Sequence, residues 1–107
     1  MLIKVPPSIQ VGSHTYTLWF KPELSDELLA AQVNFRTQEI GINPSRPASE
    51  TAEGLTHELL HIIDRVYCGD RMGETLVTAS SQGMAQVLKG LGIELDWSLI
   101  RQKEGKP

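Results

Sequence analysis

The sequence predicts an α+β fold: a small antiparallel sheet, then a long helix, then a second helix packed on it. Three observations carry this. Within residues 1–43, β-branched, aliphatic and aromatic residues alternate with polar ones at period 2. Two later segments, about 47–67 and 74–90, repeat apolar residues at spacings of 3 and 4. The chain has 107 residues, 40% apolar and 21% charged, which is the size and make-up of one ordinary domain. Residues 1–107 are therefore read as a single unit.

Composition also excludes function classes. Lys plus Arg is 10 against 13 Asp plus Glu, a net charge of −3. No basic stripe is available to neutralise nucleic-acid phosphates, and no polybasic run to hold an anionic membrane. No stretch approaches the ~20 apolar residues of a membrane span. Met1–Pro7 lacks the sustained apolar core of a signal peptide. The single cysteine, Cys68, has no partner for an internal disulfide, so a reducing cytoplasm is the expected setting. A Cys–His dyad is the functional reading of Cys68. We take the structural one, a small half-buried residue at a helix end.

Ile9–Val11 and Thr15–Phe20 flank Gly12-Ser13-His14, and the glycine marks a hairpin turn. Ser25 is a candidate N-cap for a short helix reaching about Ala31. Val33 and Phe35, then Ile40 and Ile42, alternate with polar neighbours, which predicts two short strands joined at Thr37-Gln38. Pro47 suits a first helical turn, and Glu50 and Glu53 favour the positive end of the helix dipole. Leu55, Leu59, Ile62, Ile63 and Val66 form an apolar stripe, and Gly69 stops the helix. The second helix presents Glu74, Val77, Ser81, Met84 and Leu88 on one face. Its Ala, Ser and Gly residues make it thin enough to approach another backbone closely. Asp96 is read as the cap of a last short helix holding Trp97 and Ile100 within a C-terminal tail, 96–107. Residues 103–107 are expected to fray. Trp19, Phe20 and Trp97 are read as core.

The informative segment is His57-Glu58-Leu59-Leu60-His61, an H-E-x-x-H pattern on the first helix. With this composition, chance produces the pattern in roughly 0.7% of such chains. Residues four apart stand one above the other on a helix, so both imidazoles can face one ion. Glu58 lies about 100° round from His57, from where a carboxylate reaches a water held by the metal without ligating it.

A catalytic zinc needs a third protein ligand. His14, the remaining histidine, falls in the predicted hairpin turn, so an acid is expected. Asp64 lies on the motif helix itself, where a third ligand would require a severe bend. It is assigned to orienting a histidine ring or pairing with Arg65 or Arg71. Asp70 falls in the turn and is expected to face water. Glu74 opens the second helix, which an antiparallel return brings back beside the motif, so Glu74 is the expected third ligand. Tyr67, Arg71, His14 and Arg36 are all candidates to stabilise an oxyanion, and the sequence does not choose among them.

The H-E-x-x-H followed by a Glu on the next helix resembles the gluzincin clan of zinc metallopeptidases. The short spacing behind a hairpin-rich sheet resembles its minimal phage- and bacteria-borne members, the minigluzincins. The matching stretches are Thr56–Asp64, Gly73–Val77 and Gly83–Leu88, about a third of the chain. The metzincin pattern is absent, because Asp64 and Tyr67 stand where it has Gly and His. Ser80 and Ser81 stand where gluzincin helices more often carry apolar residues.

The resemblance implies a minimal zincin-like fold and one zinc per chain held by His57, His61 and Glu74. It implies Glu58 as general base and an extended peptide or protein as substrate. It also implies that the strand near Glu39–Ile42 is the edge that pairs with that peptide. The competing expectation is a zinc-containing binding or assembly module of a phage or mobile element, with little hydrolytic activity.

Overall fold

The computed structural model describes residues 1–103. Seven strands and two α-helices follow in the order β1 (Leu2–Lys4), β2 (Ser8–Val11), β3 (His14–Phe20), β4 (Ala31–Asn34), β5 (Glu39–Ile42), α1 (Ala48–Ile63), α2 (Gly73–Gly90), β6 (Glu94–Asp96) and β7 (Arg101–Gln102). This is a small α+β domain, and no described helix is long and apolar enough to cross a membrane.

The hairpin forms as its sequence dictates. β2 and β3 pair antiparallel with Val11 opposite His14, leaving Gly12 and Ser13 as the turn. Gly12 supplies the positive φ, 60°, that such two-residue turns demand.

The sheet is mixed, not antiparallel as the sequence suggested. β3 pairs parallel with β5, and β4 pairs antiparallel with β5 on its other side. The order is β2-β3-β5-β4, with β7 also parallel to β3 beyond the stretch that β2 covers. The chemistry of the two strands explains their places. Ile40, Gly41 and Ile42 are all buried, as an internal strand requires, whereas β4 exposes Gln32 and Asn34 at alternate positions. The edge expected near Glu39–Ile42 is therefore β4 instead.

Two predicted helices are absent. The Ser25–Ala31 segment forms only a 3-10 turn over Pro22–Ser25, followed by turns and the left-handed Leu28 (φ 56°). Ser25 caps nothing; its hydroxyl donates to Asn43 Oδ1 at 3.1 Å. Asn43 is 1% exposed and ties three segments, since it also donates to Leu29 O at 2.8 Å and accepts from Ser45 N–H at 2.9 Å. The helix expected after Asp96 is replaced by a turn and β7. Asp96 Oδ1 does accept the Ser98 N–H (2.9 Å), but the following residues are captured by the β3 edge. Lys103 is held by Phe20 O at 2.9 Å and by Glu39 Oε2 at 2.6 Å, so it is not frayed. The rest of the predicted fraying, 104–107, lies outside the described residues.

Helix α1 lies across the sheet through Thr51, Leu55, Glu58 and Ile62, a stripe at helical spacing. Leu55 and Ile62 pack with Tyr16, Leu18, Ile40, Ile42 and Val5 in the core, and Phe20 and Trp97 pack half-buried beside it. Ile63 faces solvent despite its place in the predicted stripe. Past Ile63 the helix widens into a π turn, Asp64–Cys68, which Gly69 closes in the left-handed conformation. The chain then reverses. Ser81 of α2 lies beside His57, while Ala85 and Leu88 share a groove with Ala48 and Ala52, so the helices run antiparallel. Val77 and Ser81 are the buried positions of α2; Met84, expected inward, is 48% exposed.

Candidate metal centre

The helical spacing of His57 and His61 brings their Nε2 atoms to 3.1 Å, with the rings edge to face. Glu74 arrives from the first turn of α2. Its Oε1 lies 2.9 Å from His57 Nε2 and its Oε2 lies 3.0 Å from His61 Nε2. All three residues place one donor atom within 4.8 Å of one another, so the cluster could hold a metal ion. Two imidazoles and a carboxylate are a borderline donor set, and their separations are near the roughly 3.3 Å between ligands of a tetrahedral ion bound at about 2.0–2.1 Å. Glu74 is 68% exposed in its side chain, so the cluster opens to solvent on that side.

The connection between the helices is what delivers Glu74. Gly69, Asp70 and Gly73 all have positive φ, which turns the chain tightly enough to start α2 beside the motif. Asp64 completes the turn. It is 5% exposed, its carbonyl accepts the Asp70 N–H at 3.2 Å, and its Oδ1 accepts the Met72 N–H at 3.1 Å. The predicted pairing of Asp64 with a histidine ring or an arginine is replaced by this backbone contact, two residues ahead of Glu74.

Ser81 was not foreseen as part of the site. It is 1% exposed, and its hydroxyl donates to Thr78 O at 2.9 Å. Its oxygen lies 3.5 Å from His57 Nδ1, placed to accept that N–H and leave Nε2 free to face the cluster. The serine in place of an apolar residue was the only signal. Ser81→Ala is expected to weaken zinc binding roughly 10- to 100-fold in competition with a chromophoric chelator. Ser81→Thr, which keeps the hydroxyl, should restore most of it. Wild-type affinity in the alanine variant would show that Ser81 merely packs.

Glu58 occupies the core-facing stripe of α1 and is 9% exposed. Burial pushes its carboxyl up to about 7, and the Glu74 carboxylate adds to the rise; a backbone hydrogen bond from Val33 works the other way. The β4 register explains that donor. Asn43 N–H bonds Ala30 O, so residues 30, 32 and 34 direct their backbone groups at β5, and Ala31 and Val33 direct theirs outward. The open edge of the sheet thus faces Glu58.

A cavity of about 540 Å³ lies between this edge and α1, with His57, Glu58 and Glu74 at one end. The oxyanion candidates lie elsewhere. Tyr67 is 67% exposed with its hydroxyl over the Gly12 turn, and Arg71 lies beside Gly69. His14 meets Gln38 through Nδ1 at 3.1 Å, and Arg36 is exposed in the β4–β5 turn. None of the four lines the cavity, and neither does Cys68 at the end of the π turn. Arg46 does line it, although the sequence marked it only as loop.

Comparison with protein-family models, with curated proteins and with solved structures finds no match to this chain.

Proposed function

We infer that the chain is a zinc-dependent metallopeptidase of the minimal gluzincin type, with a zincin-like arrangement of sheet edge and motif helix. The observation that carries this is a buried Glu58 immediately beside the His57–His61–Glu74 cluster and facing the same cavity. A purely structural metal site has no use for such a carboxylate. His57, His61 and Glu74 would hold the ion. A bound zinc supplies Lewis acidity, polarising a carbonyl and lowering the pKa of a coordinated water. Glu58 accepts the proton of the attacking water at its carboxylate and returns it to the leaving amine. The outward Ala31 peptide groups and the Val33 carbonyl on β4 pair with an extended substrate backbone. The resemblance to phage- and bacteria-borne minigluzincins and a reducing cytoplasmic setting for Cys68 fit the same reading.

The test is metal content per chain for wild type and Glu74→Ala, followed by digestion of a degenerate peptide mixture. About one zinc in the wild type, little in the variant and cleavage by the loaded chain are expected. No zinc after reconstitution would sink the reading. Zinc without hydrolysis would leave the chain a zinc-containing binding module.

A further inference from the structure

The cavity beside the metal cluster has walls of different chemistry. One wall is aliphatic: Leu28 and Leu29 line it and remain 78% and 38% exposed. Leu28 holds a left-handed backbone (φ 56°), unusual for a residue with a bulky side chain, and Arg46 braces that turn by donating to Leu28 O at 2.7 Å. The facing wall is the start of α1, where Glu50, Glu53 and His57 follow one another at helical spacing. The same Arg46 guanidinium pairs with Glu50 at 3.0 Å and offsets its charge. Glu53 has no ion pair or side-chain hydrogen bond among the described residues, and it stands one turn from His57. The two walls come together over Gly54, where a Cβ would lie 3.1 Å from that of Ala30 and 3.2 Å from that of Ala31.

An aliphatic wall opposite an unpaired carboxylate suits a side chain with an alkyl stem and a cationic head. We propose that this cavity receives a lysine or arginine side chain of the peptide substrate, next to the hydrolysed bond. Leu28 and Leu29 lie along the stem and Glu53 meets the cationic head. Arg46 offsets only Glu50, so the wall keeps the Glu53 charge and an acidic side chain is repelled. The place in the reaction rests on the peptidase reading; the binding of the side chain does not.

The test compares two probes on the full zinc-loaded chain by amide NMR shifts: Nα-acetyl-lysine methylamide and Nα-acetyl-norleucine methylamide, which lacks the ammonium. The lysine probe should shift the amides of Leu28, Leu29, Glu53 and Gly54 and bind about tenfold tighter than the norleucine probe. That preference should shrink in Glu53→Gln and in high salt. Equal binding of the two probes, shifts confined to other residues, or a preference unchanged in Glu53→Gln would each overturn the proposal. Digestion of a degenerate peptide mixture separates it from the reading beneath it. A basic residue fixed beside the cleaved bonds supports the proposal. Cleavage with no basic preference overturns it and leaves the peptidase standing. Lysine binding in the cavity with no hydrolysis of any peptide overturns the peptidase and leaves the pocket.

Discussion

On the metallopeptidase reading, Glu58→Gln loaded with zinc is expected to keep its metal and lose roughly 10²- to 10⁴-fold of the proposed peptide hydrolysis. The amide has the size of the carboxyl and can sit against the same neighbours, so the fold and the three metal-facing residues are undisturbed. What it loses is the ability to take up a proton. Glu58 is suited to that task by its position. In the metal-free chain, burial on the core stripe of α1 raises its carboxyl to about 7, so it takes up a proton more readily than a solvated glutamate. The Val33 N–H, on the outward side of β4, partly offsets that rise and favours the carboxylate form. The measurement is zinc content and turnover on one preparation. Unchanged turnover with zinc retained would remove Glu58 from the mechanism, and loss of zinc would show that the glutamine disturbs the cluster.

The local parts of this molecule are legible in its sequence, and the long-range parts are not. The Gly12-Ser13 hairpin, the His57–His61 spacing and the Gly69 stop are each set by contacts between near neighbours in the chain. Glu74 was reachable too, because a tight turn leaves an antiparallel helix little choice of where to begin. The parallel pairing of β3 with β5 was not, since period-2 alternation is the same for either direction and says nothing of the partner. The free edge near Glu39–Ile42 was what the family resemblance implied, and the mixed pairing puts it at β4 instead. Asp96 shows a related ambiguity. An aspartate that accepts the N–H two residues on serves a helix cap and a simple turn equally, and the edge of β3 decided between them. Tyr67 and Arg71 sit in or after the π turn, Tyr67 by the Gly12 turn and Arg71 beside Gly69, and neither lines the cavity.

The glutamate that equips the site also strains the fold, and the metal-free protein should reveal it. A carboxyl raised from 4.5 to about 7 on folding is held more tightly as the neutral acid in the native state than in the unfolded chain. Its contribution is fully present below about pH 4.5 and is lost as pH climbs through about 7. Above that range the native state carries a buried negative charge that the unfolded chain would leave in water. Glu58→Gln removes this penalty. In chelator, the variant should match wild type near pH 4 and exceed it by up to about 3 kcal/mol at pH 8, the value of the shift at about 1.4 kcal/mol per pH unit. Glu39 does not confuse the comparison. Its carboxyl is held low by Lys103, so its stabilisation is present above about 4.5 and fades only toward acid, equally in both proteins. Denaturant midpoints across that range give the answer. A variant no more stable than wild type at pH 8 would mean that the Glu58 carboxylate is well solvated in the native state, and its role as a tuned base would lose its physical basis. A gain that grows between pH 5 and 7 would show that stability is given up at this position to hold a proton acceptor beside the metal cluster.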